Sequence, residues 1–319
     1  MENLPIQNSS PSGIPVTVDE FTQLIERFMA NQDLKPASKS RYRKSLIIYF
    51  DWVKASAFKL NEIKYDQLLI YKGWLNEQKT KDGTLFSSFT VSAYINALKS
   101  FYKWANGIGL LFNPAAPLKV PKKDNGGKFE REPLSLDQVI KLLEYFAKNS
   151  PRDFAICNLM LRCGLRTIEV VRLDAVDIQF KGDNRILMVQ GKGKDRKDRY
   201  VKLIDKAFTP LNNYLNGRTI GPMFTSESIT GVAGRLIPGT ISKIIKTGMR
   251  AIGINHKKYT AHSLRHTAAT LAIKSGASIG QTQDMLRHAD QKTTEGYMKT
   301  ILEEQRLEKS AEDFLNNAF

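Results

Sequence analysis

Apolar side chains recur every three or four residues through most of the first hundred positions, a spacing that predicts amphipathic helices. The first such pattern follows T-V-D-E at Thr17, which has the form of a capping box. Its apolar positions are Val18, Phe21, Leu24, Ile25 and Phe28. Similar patterns predict helices over residues 38–55, 65–78 and 88–105. Residues 16–113 are therefore predicted to form a four-helix domain.

The fourth of these helices carries apolar and aromatic residues that could either fill a core or stack against bases. They are Val91, Tyr94, Ile95, Leu98, Phe101 and Tyr102. Their spacing of three and four favours the core interpretation. In the second helix, Leu46, Ile47, Phe50 and Val53 are the predicted buried positions.

The second half of the chain changes its pattern twice. S-L-D-Q at Ser135 has the form of a second capping box, and helices are predicted over residues 153–162 and 167–173. Two β-branched, apolar runs at 185–190 and 199–204 then flank the basic loop G-K-G-K-D-R-K-D, which predicts a β-hairpin. Helices are predicted again from about Pro238, and Gly276 separates two helical segments between Ser263 and Arg287. The predicted fold class is mainly α with a small β-hairpin or sheet.

Composition marks the domain limits. Residues 1–15 are rich in Ser, Pro and Asn and are predicted to be a flexible leader. Residues 114–131 are predicted to be a linker, because the surrounding stretch 113–133 carries four of the twelve prolines and a Gly-Gly pair. Residues 132–319 are predicted to form the second domain, with a tail helix from about 302. Cys157 and Cys163 lie in an apolar helical pattern and are predicted to be buried, reduced thiols.

Lys and Arg outnumber Asp and Glu by 48 to 32, giving a formal charge of +16. The charges are interleaved with apolar residues, which favours a folded protein that binds nucleic acid over a disordered basic tail. An anionic membrane surface is the weaker alternative, because no strongly basic amphipathic helix supports it. With neither a signal peptide nor an apolar run long enough to span a bilayer, we expect a soluble, cytoplasmic, nucleoid-associated protein.

One basic cluster opens the second predicted helix. Its members are Lys39, Arg41, Arg43 and Lys44. Cations at a helix start oppose the helix dipole, so we expect DNA contact here in preference to an ordinary solvated face.

All four histidines lie between His256 and His288. His262 and Arg265 have i, i+3 spacing, which places both on one helix face, where they can meet a shared anion. Histidine titrates near neutrality and the arginine fork matches phosphate, so this pairing indicates phosphoryl chemistry. Taken alone, a tyrosine such as Tyr297 is more often a core residue. Tyr297 nevertheless lies nine positions after His288 in the same basic stretch, which favours a functional role.

Five segments, in this order, resemble those of the tyrosine recombinase (phage integrase) family. They are G-L-R-T-I-E-V-V-R-L at 164–173, G-K-G-K-D-R-K at 191–197, H-S-L-R-H-T at 262–267, L-R-H-A-D at 286–290, and Tyr297. The resemblance is close in the second domain and looser in the first. It implies a helical core-binding (SAM-like) domain followed by an α+β catalytic domain, in an enzyme that cleaves and rejoins DNA through a 3′-phosphotyrosyl intermediate.

The resemblance also implies the roles of individual residues. Arg166 and Arg265 would stabilise charge on the non-bridging phosphate oxygens, and Tyr297 would be the nucleophile. Lys192 would protonate the leaving 5′ oxygen, with Lys194 as its nearest competitor in the loop. His262 would accept a proton and bind phosphate, and His288 would hydrogen-bond the phosphate.

Simpler interpretations stand beside these roles. Arg166 could form a salt bridge with Glu169, which is compatible with catalysis because the family usually has an acidic residue there. His266 is predicted to be structural, and His256 to lie at the surface or on the DNA backbone. The family commonly has glycine where this chain has Arg287. That change adds charge near the site and leaves His288 in place.

The resemblance further implies the partners. They are double-stranded DNA with inverted-repeat core sites and a homotetramer in which the C-terminal tail docks in trans. No metal or other cofactor is expected, because the candidate groups are basic. The residues before Thr17 are too few for the arm-binding domain of some integrases. A mobile-element or inversion role is favoured over dimer resolution.

Three other functions are alternatives to recombination. A type IB topoisomerase shares the chemistry, but the two-domain layout and possible swapping tail favour recombination. A DDE transposase needs clustered carboxylates, which the motifs lack. Residues 270–288 could instead form a helix-turn-helix in a DNA-binding regulator without cleavage.

Overall fold

The computed structural model describes residues 18–121, 132–191, 194–226 and 234–287, together with Gly296 and Ile301. The chain divides into two compact units between residues 124 and 125, within the segment predicted to be a linker. Helices dominate both units, and the second also contains one small sheet, so the predicted fold class is confirmed. Within the described ranges, no helix is long and apolar enough to cross a membrane.

The N-terminal unit contains four α-helices in the described residues. They are α1 (Val18–Ala30), α2 (Pro36–Ala55), α3 (Tyr65–Glu77) and α4 (Ser88–Gly107), with a short 3₁₀ turn at Leu60–Glu62 between α2 and α3. Helix α2 packs against both α1 and α4. It begins two residues earlier than predicted because Pro36, whose φ is preset for a helix, occupies its first turn.

The core of the N-terminal unit is rich in aromatic residues. Phe28, Tyr49, Tyr71, Phe101 and Tyr102 are all at most 1% exposed. At its centre the hydroxyls of Tyr49 and Tyr102 are 2.6 Å apart. The apolar residues of α4 are buried or partly buried, as the core interpretation predicts, whereas Ile47 of α2 is 44% exposed, contrary to its predicted burial.

The second unit contains seven α-helices in the described residues. They are α5 (Leu136–Asn149), α6 (Pro151–Arg162), α7 (Thr167–Val171), α8 (Asp205–Leu215), α9 (Pro238–Ala251), α10 (Ala261–Lys274) and α11 (Ile279–Leu286). Helix α6 is central, since it contacts α5, α8 and α10. Cys157 and Cys163 are buried free thiols, as predicted.

The sheet of the second unit is antiparallel in the order β1-β2-β3. Its strands are β1 (Ile178–Lys181), β2 (Asn184–Val189) and β3 (Arg199–Lys202). Strands β2 and β3 are the predicted hairpin, with Leu187 opposite Val201. Strand β1 is additional and joins β2 through the two-residue connection Gly182-Asp183.

Candidate active site

A buried carboxylate lies at the centre of the candidate site. Glu169 of α7 is fully buried and is contacted by three arginines from separate parts of the chain. Its Oε1 accepts from Nη1 of Arg166 at 2.8 Å, and its Oε2 accepts from Nη2 of Arg287 at 2.8 Å. Nη1 of Arg265 lies 3.8 Å from the same Oε2. The cluster therefore holds one carboxylate among three guanidinium groups.

The arginines decide the ionisation of this carboxylate. Burial by itself would raise the pKa of Glu169, because it removes the charged form from water. Arg287, the backbone N–H of Arg166, Arg265 and the Arg166 guanidinium together outweigh burial, so the pKa of Glu169 lies below its usual value. The carboxylate is therefore ionised at neutral pH and can orient the guanidinium groups around it.

Arg166 lies at the start of the short helix α7, where its backbone N–H donates to Oε2 of Glu169 at 2.9 Å. Backbone and side chain of Arg166 are thus both held by one glutamate. The side chain keeps 25% of its surface exposed. This arrangement leaves an oriented guanidinium that an anion can reach from solvent.

Arg265 of α10 is 1% exposed and crosslinks two backbone segments. Its Nη1 donates to the carbonyl of Gly164 and its Nη2 to the carbonyl of Leu286. Gly164 has a φ of +58°, and a Cβ there would lie 2.6 Å from Cδ2 of Leu286. The glycine of the G-L-R motif is therefore required both by its backbone conformation and by the close approach of α11.

His262 lies in the first turn of α10, one turn before Arg265, and it is exposed. Its ring is 4.9 Å from the ring of His266 in an edge-to-face arrangement. His266 is buried, in agreement with a structural role, and His256 is exposed. Of the two residues predicted to share one helix face, His262 is therefore exposed and Arg265 is buried.

The basic hairpin loop is fixed at its two ends. At one end, Nη1 of Arg172 donates to the carbonyl of Gly191 at 3.0 Å. At the other end, Nζ of Lys197 donates to Asp174 at 2.7 Å and to Asp177 at 2.5 Å. The loop that carries the candidate lysines is therefore anchored to the segment that follows α7.

Three predicted site residues, Lys192, His288 and Tyr297, lie outside the described residues, as does the predicted tail helix from about 302. Lys194, the competitor of Lys192, is exposed, and its carbonyl accepts from Nε2 of Gln190 at 2.8 Å. The structure thus brings Arg166 and Arg265 together around Glu169. The assigned roles of the other four, Lys192, His262, His288 and Tyr297, rest on the sequence.

The basic residues of the N-terminal unit have a different setting. With α2 starting at Pro36, Arg41, Arg43 and Lys44 lie beyond its first turn, so the argument from the helix dipole does not apply to them. Arg43 makes two 2.7 Å hydrogen bonds to Glu26 of α1, and this bonding lowers the pKa of Glu26. A solvated ion pair thus accounts for Arg43, and DNA contact through Lys39, Arg41 and Lys44 stays a prediction.

Sequence reasoning missed the supporting residues of the site. Arg287 was recognised as a departure from the family pattern but was given no role. Arg172 and Lys197 lie within the motifs but have no predicted role, and Arg235, which donates to Asp174 and to the carbonyls of Val171 and Leu173, lies outside them. Their roles depend on contacts between residues 19 to 124 positions apart, for which a single sequence offers no periodic signal.

Comparison with known proteins places the chain in a family. A profile of the phage integrase family matches residues 132–303. A tyrosine recombinase of Pseudothermotoga lettingae is 31% identical over 233 residues, which are 72% of this chain and 76% of the relative.

Two solved structures share the fold. The XerH recombinase in a post-cleavage complex with palindromic difH substrate has a TM-score of 0.69 at 20% identity, covering 91% of this chain and 84% of that one. A lambda integrase tetramer on a Holliday junction has a TM-score of 0.68 at 17% identity, covering 88% and 77%. The profile match, the relative and the shared fold establish that the chain belongs to the phage integrase family of tyrosine recombinases.

Proposed function

We propose that this site-specific DNA recombinase cleaves one DNA strand at a time by transesterification onto Tyr297. The observation that carries the proposal is the buried Glu169 carboxylate, which orients the partly exposed Arg166 while Arg265 lies beside it. Guanidinium groups held in advance stabilise the charge that builds on phosphate oxygens without reorganising during the reaction. Such a site is suited to the reaction of the family, in which a tyrosine cleaves a DNA strand through a phosphotyrosyl bond.

In the proposed cleavage step, the phenolic oxygen of Tyr297 attacks the phosphorus atom and the bond from phosphorus to the 5′ oxygen breaks. His262 accepts the phenolic proton, Lys192 donates a proton to the departing 5′ oxygen, and His288 hydrogen-bonds the phosphate. Arg166 and Arg265 stabilise the pentavalent transition state. The product is a 3′-phosphotyrosyl bond, and attack by a free 5′ hydroxyl reverses the step with no external energy source.

The proposed substrate is duplex DNA with inverted-repeat core sites, and the proposed active assembly is a homotetramer with the C-terminal tail docked in trans. The solved neighbours support this proposal, because one is bound to a palindromic substrate and another is a tetramer on a Holliday junction. A regulator without cleavage has no such support.

A covalent capture experiment tests the cleavage proposal and finds the substrate. The protein is incubated with nicked duplexes that contain a randomised segment and a nick just 3′ of the cleavage position. The short fragment that carries the free 5′ hydroxyl then diffuses away after cleavage, which traps the phosphotyrosyl adduct. Adducts are isolated under denaturing conditions and sequenced. We expect an adduct with wild-type protein and none with Tyr297→Phe, which should still retard DNA in gels. If both proteins bind DNA and neither forms an adduct, the cleavage proposal fails.

Two further arms test the chemistry. Cleavage of the captured duplex should persist in EDTA, because arginine and lysine supply the charge and the proton. Lys192→Ala should slow cleavage by roughly 10² to 10⁴-fold, and replacement of the 5′ bridging oxygen by sulfur should restore it, since a thiolate leaves without a proton. Lys194→Ala is the matched control. If sulfur rescues only the Lys194 variant, the roles of the two lysines are exchanged.

A further inference from the structure

Arg287 has an unusual backbone for an arginine. It follows α11 with φ 57° and ψ 40°, the left-handed conformation that favours glycine. Its side chain nevertheless has only 5% of its surface exposed. A residue that accepts a disfavoured backbone and also loses the hydration of its charge must gain contacts that glycine could not make.

Those contacts join three parts of the second unit. Nη2 of Arg287 pairs with Oε2 of Glu169 at 2.8 Å, and Nη1 donates to the carbonyl of Met285 at 2.6 Å. The same guanidinium also reaches the carbonyls of Cys163 and Gly164, at 3.4 and 3.3 Å. One side chain therefore contacts α7, the end of α11 and the turn after α6.

Arg287 acts in parallel with Arg265. Both guanidiniums bind the Gly164 carbonyl, and both bind a carbonyl near the end of α11, Leu286 for Arg265 and Met285 for Arg287. The Gly164 turn leads directly into Arg166, and the end of α11 leads directly to His288 in the sequence. The two arginines therefore hold the turn after α6, which leads into Arg166, against the end of α11.

We propose that Arg287 is a positioning residue for strand cleavage, which fixes Glu169 against the end of α11 and thereby holds the guanidinium of Arg166 in its oriented position. The inference rests on the proposed function. Arg287 is not assigned a direct phosphate contact, because its guanidinium is buried and engaged by one carboxylate and by carbonyls, and because the family commonly has glycine at this position, whereas it has a phosphate-binding arginine at the position of Arg265. Arg287 is therefore assigned to act through Glu169.

Substitution by glycine separates the side chain from the backbone. Arg287→Gly keeps the left-handed conformation without strain and removes the side chain, whereas Arg287→Ala also carries the backbone penalty. For Arg287→Gly we expect single-turnover cleavage of the captured duplex at saturating protein to fall roughly 10- to 100-fold, as for a small misplacement of reacting groups. DNA affinity should stay within about twofold, since the lost interactions act after binding.

A pH profile distinguishes positioning from a general loss of structure. Arg287 is the strongest of the groups that lower the pKa of Glu169, so its removal should raise that pKa and move the acid limb of the cleavage profile to higher pH. Arg166 and Arg265 also face Glu169 and remain in the variant. Arg287→Lys retains a cation near Glu169 but lacks the planar fork. Arg287→Lys should therefore keep the wild-type acid limb of the cleavage profile but cleave more slowly than wild-type protein.

Chemical rescue adds an independent readout. Arg287 borders a cleft of about 660 Å³ that also contacts Cys163, Tyr200 and Met285, through which a small cation can enter. Millimolar guanidinium should restore part of the Arg287→Gly cleavage rate. It should not restore Arg287→Gly in a Glu169→Gln background, where the carboxylate that would bind it is absent.

The readouts separate failure of this inference from failure of the proposed function. The unfolding free energy of the protein without DNA should depend less on acid pH in Arg287→Gly than in wild type, whether or not wild-type protein forms an adduct, because the folded-state pKa of Glu169 then lies closer to its unfolded value. Wild-type cleavage and acid limb in Arg287→Gly would overturn the positioning role. A loss of DNA affinity with unchanged cleavage at saturation would overturn it too, because it would make Arg287 a DNA contact. If the glycine variant does not fold, the Arg287→Lys rate and acid limb decide the question.

Discussion

Each of the two units buries a polar cluster, and the clusters differ in charge. In the N-terminal unit the neutral hydroxyls of Tyr49 and Tyr102 share one 2.6 Å hydrogen bond inside an aromatic core. In the second unit the ionised Glu169 lies among Arg166, Arg265 and Arg287. The first cluster completes a core, whereas the second holds charged groups that the proposed reaction uses.

The two clusters differ in the free-energy cost of leaving a buried group unpaired. The neutral core also buries the Tyr71 hydroxyl and the Trp104 Nε1 without a hydrogen-bond partner among the described residues. An unpaired neutral group costs on the order of 1 to 3 kcal/mol, whereas an uncompensated buried charge costs more. The N-terminal unit can therefore leave neutral polar atoms unsatisfied. In the second unit Nε of Arg287 also lacks a hydrogen-bond partner among the described residues, but the charge of its guanidinium is paired with Glu169.

Removing the central charge should give the largest effect. Glu169→Gln leaves the three arginines without their counter-charge, so we expect the second unit to lose about 3 to 5 kcal/mol of unfolding free energy. Cleavage should fall about 100-fold, because Arg166 is no longer oriented. Hydrogen exchange followed by peptide mass spectrometry measures the stability of each unit separately.

Glu26→Gln is the matched control, since Glu26 binds Arg43 at the same close range but on the surface. Its effect should be at most about 1 kcal/mol. All three tryptophans, Trp52, Trp74 and Trp104, lie in the N-terminal unit, so tryptophan fluorescence should report no change for Glu169→Gln. Equal losses in the two variants would contradict the contrast drawn between buried and exposed charge.

Extremes of pH should affect the two units at opposite ends of the scale. The pKa of Glu169 is lowered in the folded protein, so its contribution is present above the unfolded value of about 4.3 and is lost as the pH falls further. Burial raises the pKa of Tyr49 and of Tyr102, so their contribution is present below about 10 and is lost as the pH rises.

Urea unfolding followed by far-UV circular dichroism across pH measures both limbs. Glu169→Gln should flatten the acid dependence, and the double variant Tyr49→Phe with Tyr102→Phe should flatten the alkaline one. An alkaline limb unaltered in the double phenylalanine variant would mean that other groups dominate it.

The smallest effect is expected inside the aromatic core. Tyr49→Phe leaves the Tyr102 hydroxyl buried without its partner and should cost about 1 to 2 kcal/mol. Adding Tyr102→Phe removes the unpaired group, so the double variant should be more stable than the sum of the single changes predicts. Urea unfolding monitored by tryptophan fluorescence measures this difference. Strict additivity would show that the hydroxyls are not coupled.

Most of the secondary structure followed from local pattern. Helical spacing and capping residues predicted the starts of α1 and α5 and both ends of α2, α3, α4 and α6 to within a few residues, and the β-branched runs predicted β2 and β3. Strand β1 was missed although Gly182-Asp183 is a two-residue hairpin connection, because its four residues form too short a pattern. Helix α8 was missed as well. Pro210 interrupts its sequence, while Ala207, Leu211 and Leu215 carry the buried face.

The amino-acid sequence by itself determined the family, the order of the motifs and the candidate chemistry, because these depend on residue types at fixed local spacing. The tertiary structure alone decided that Glu169 is buried among three arginines, that Arg43 is paired with Glu26, and that Arg287 adopts a left-handed backbone to reach Glu169. The physical reason is distance along the chain. Burial and charge pairing between remote residues arise only when the helices pack, and they leave no periodic trace in the sequence.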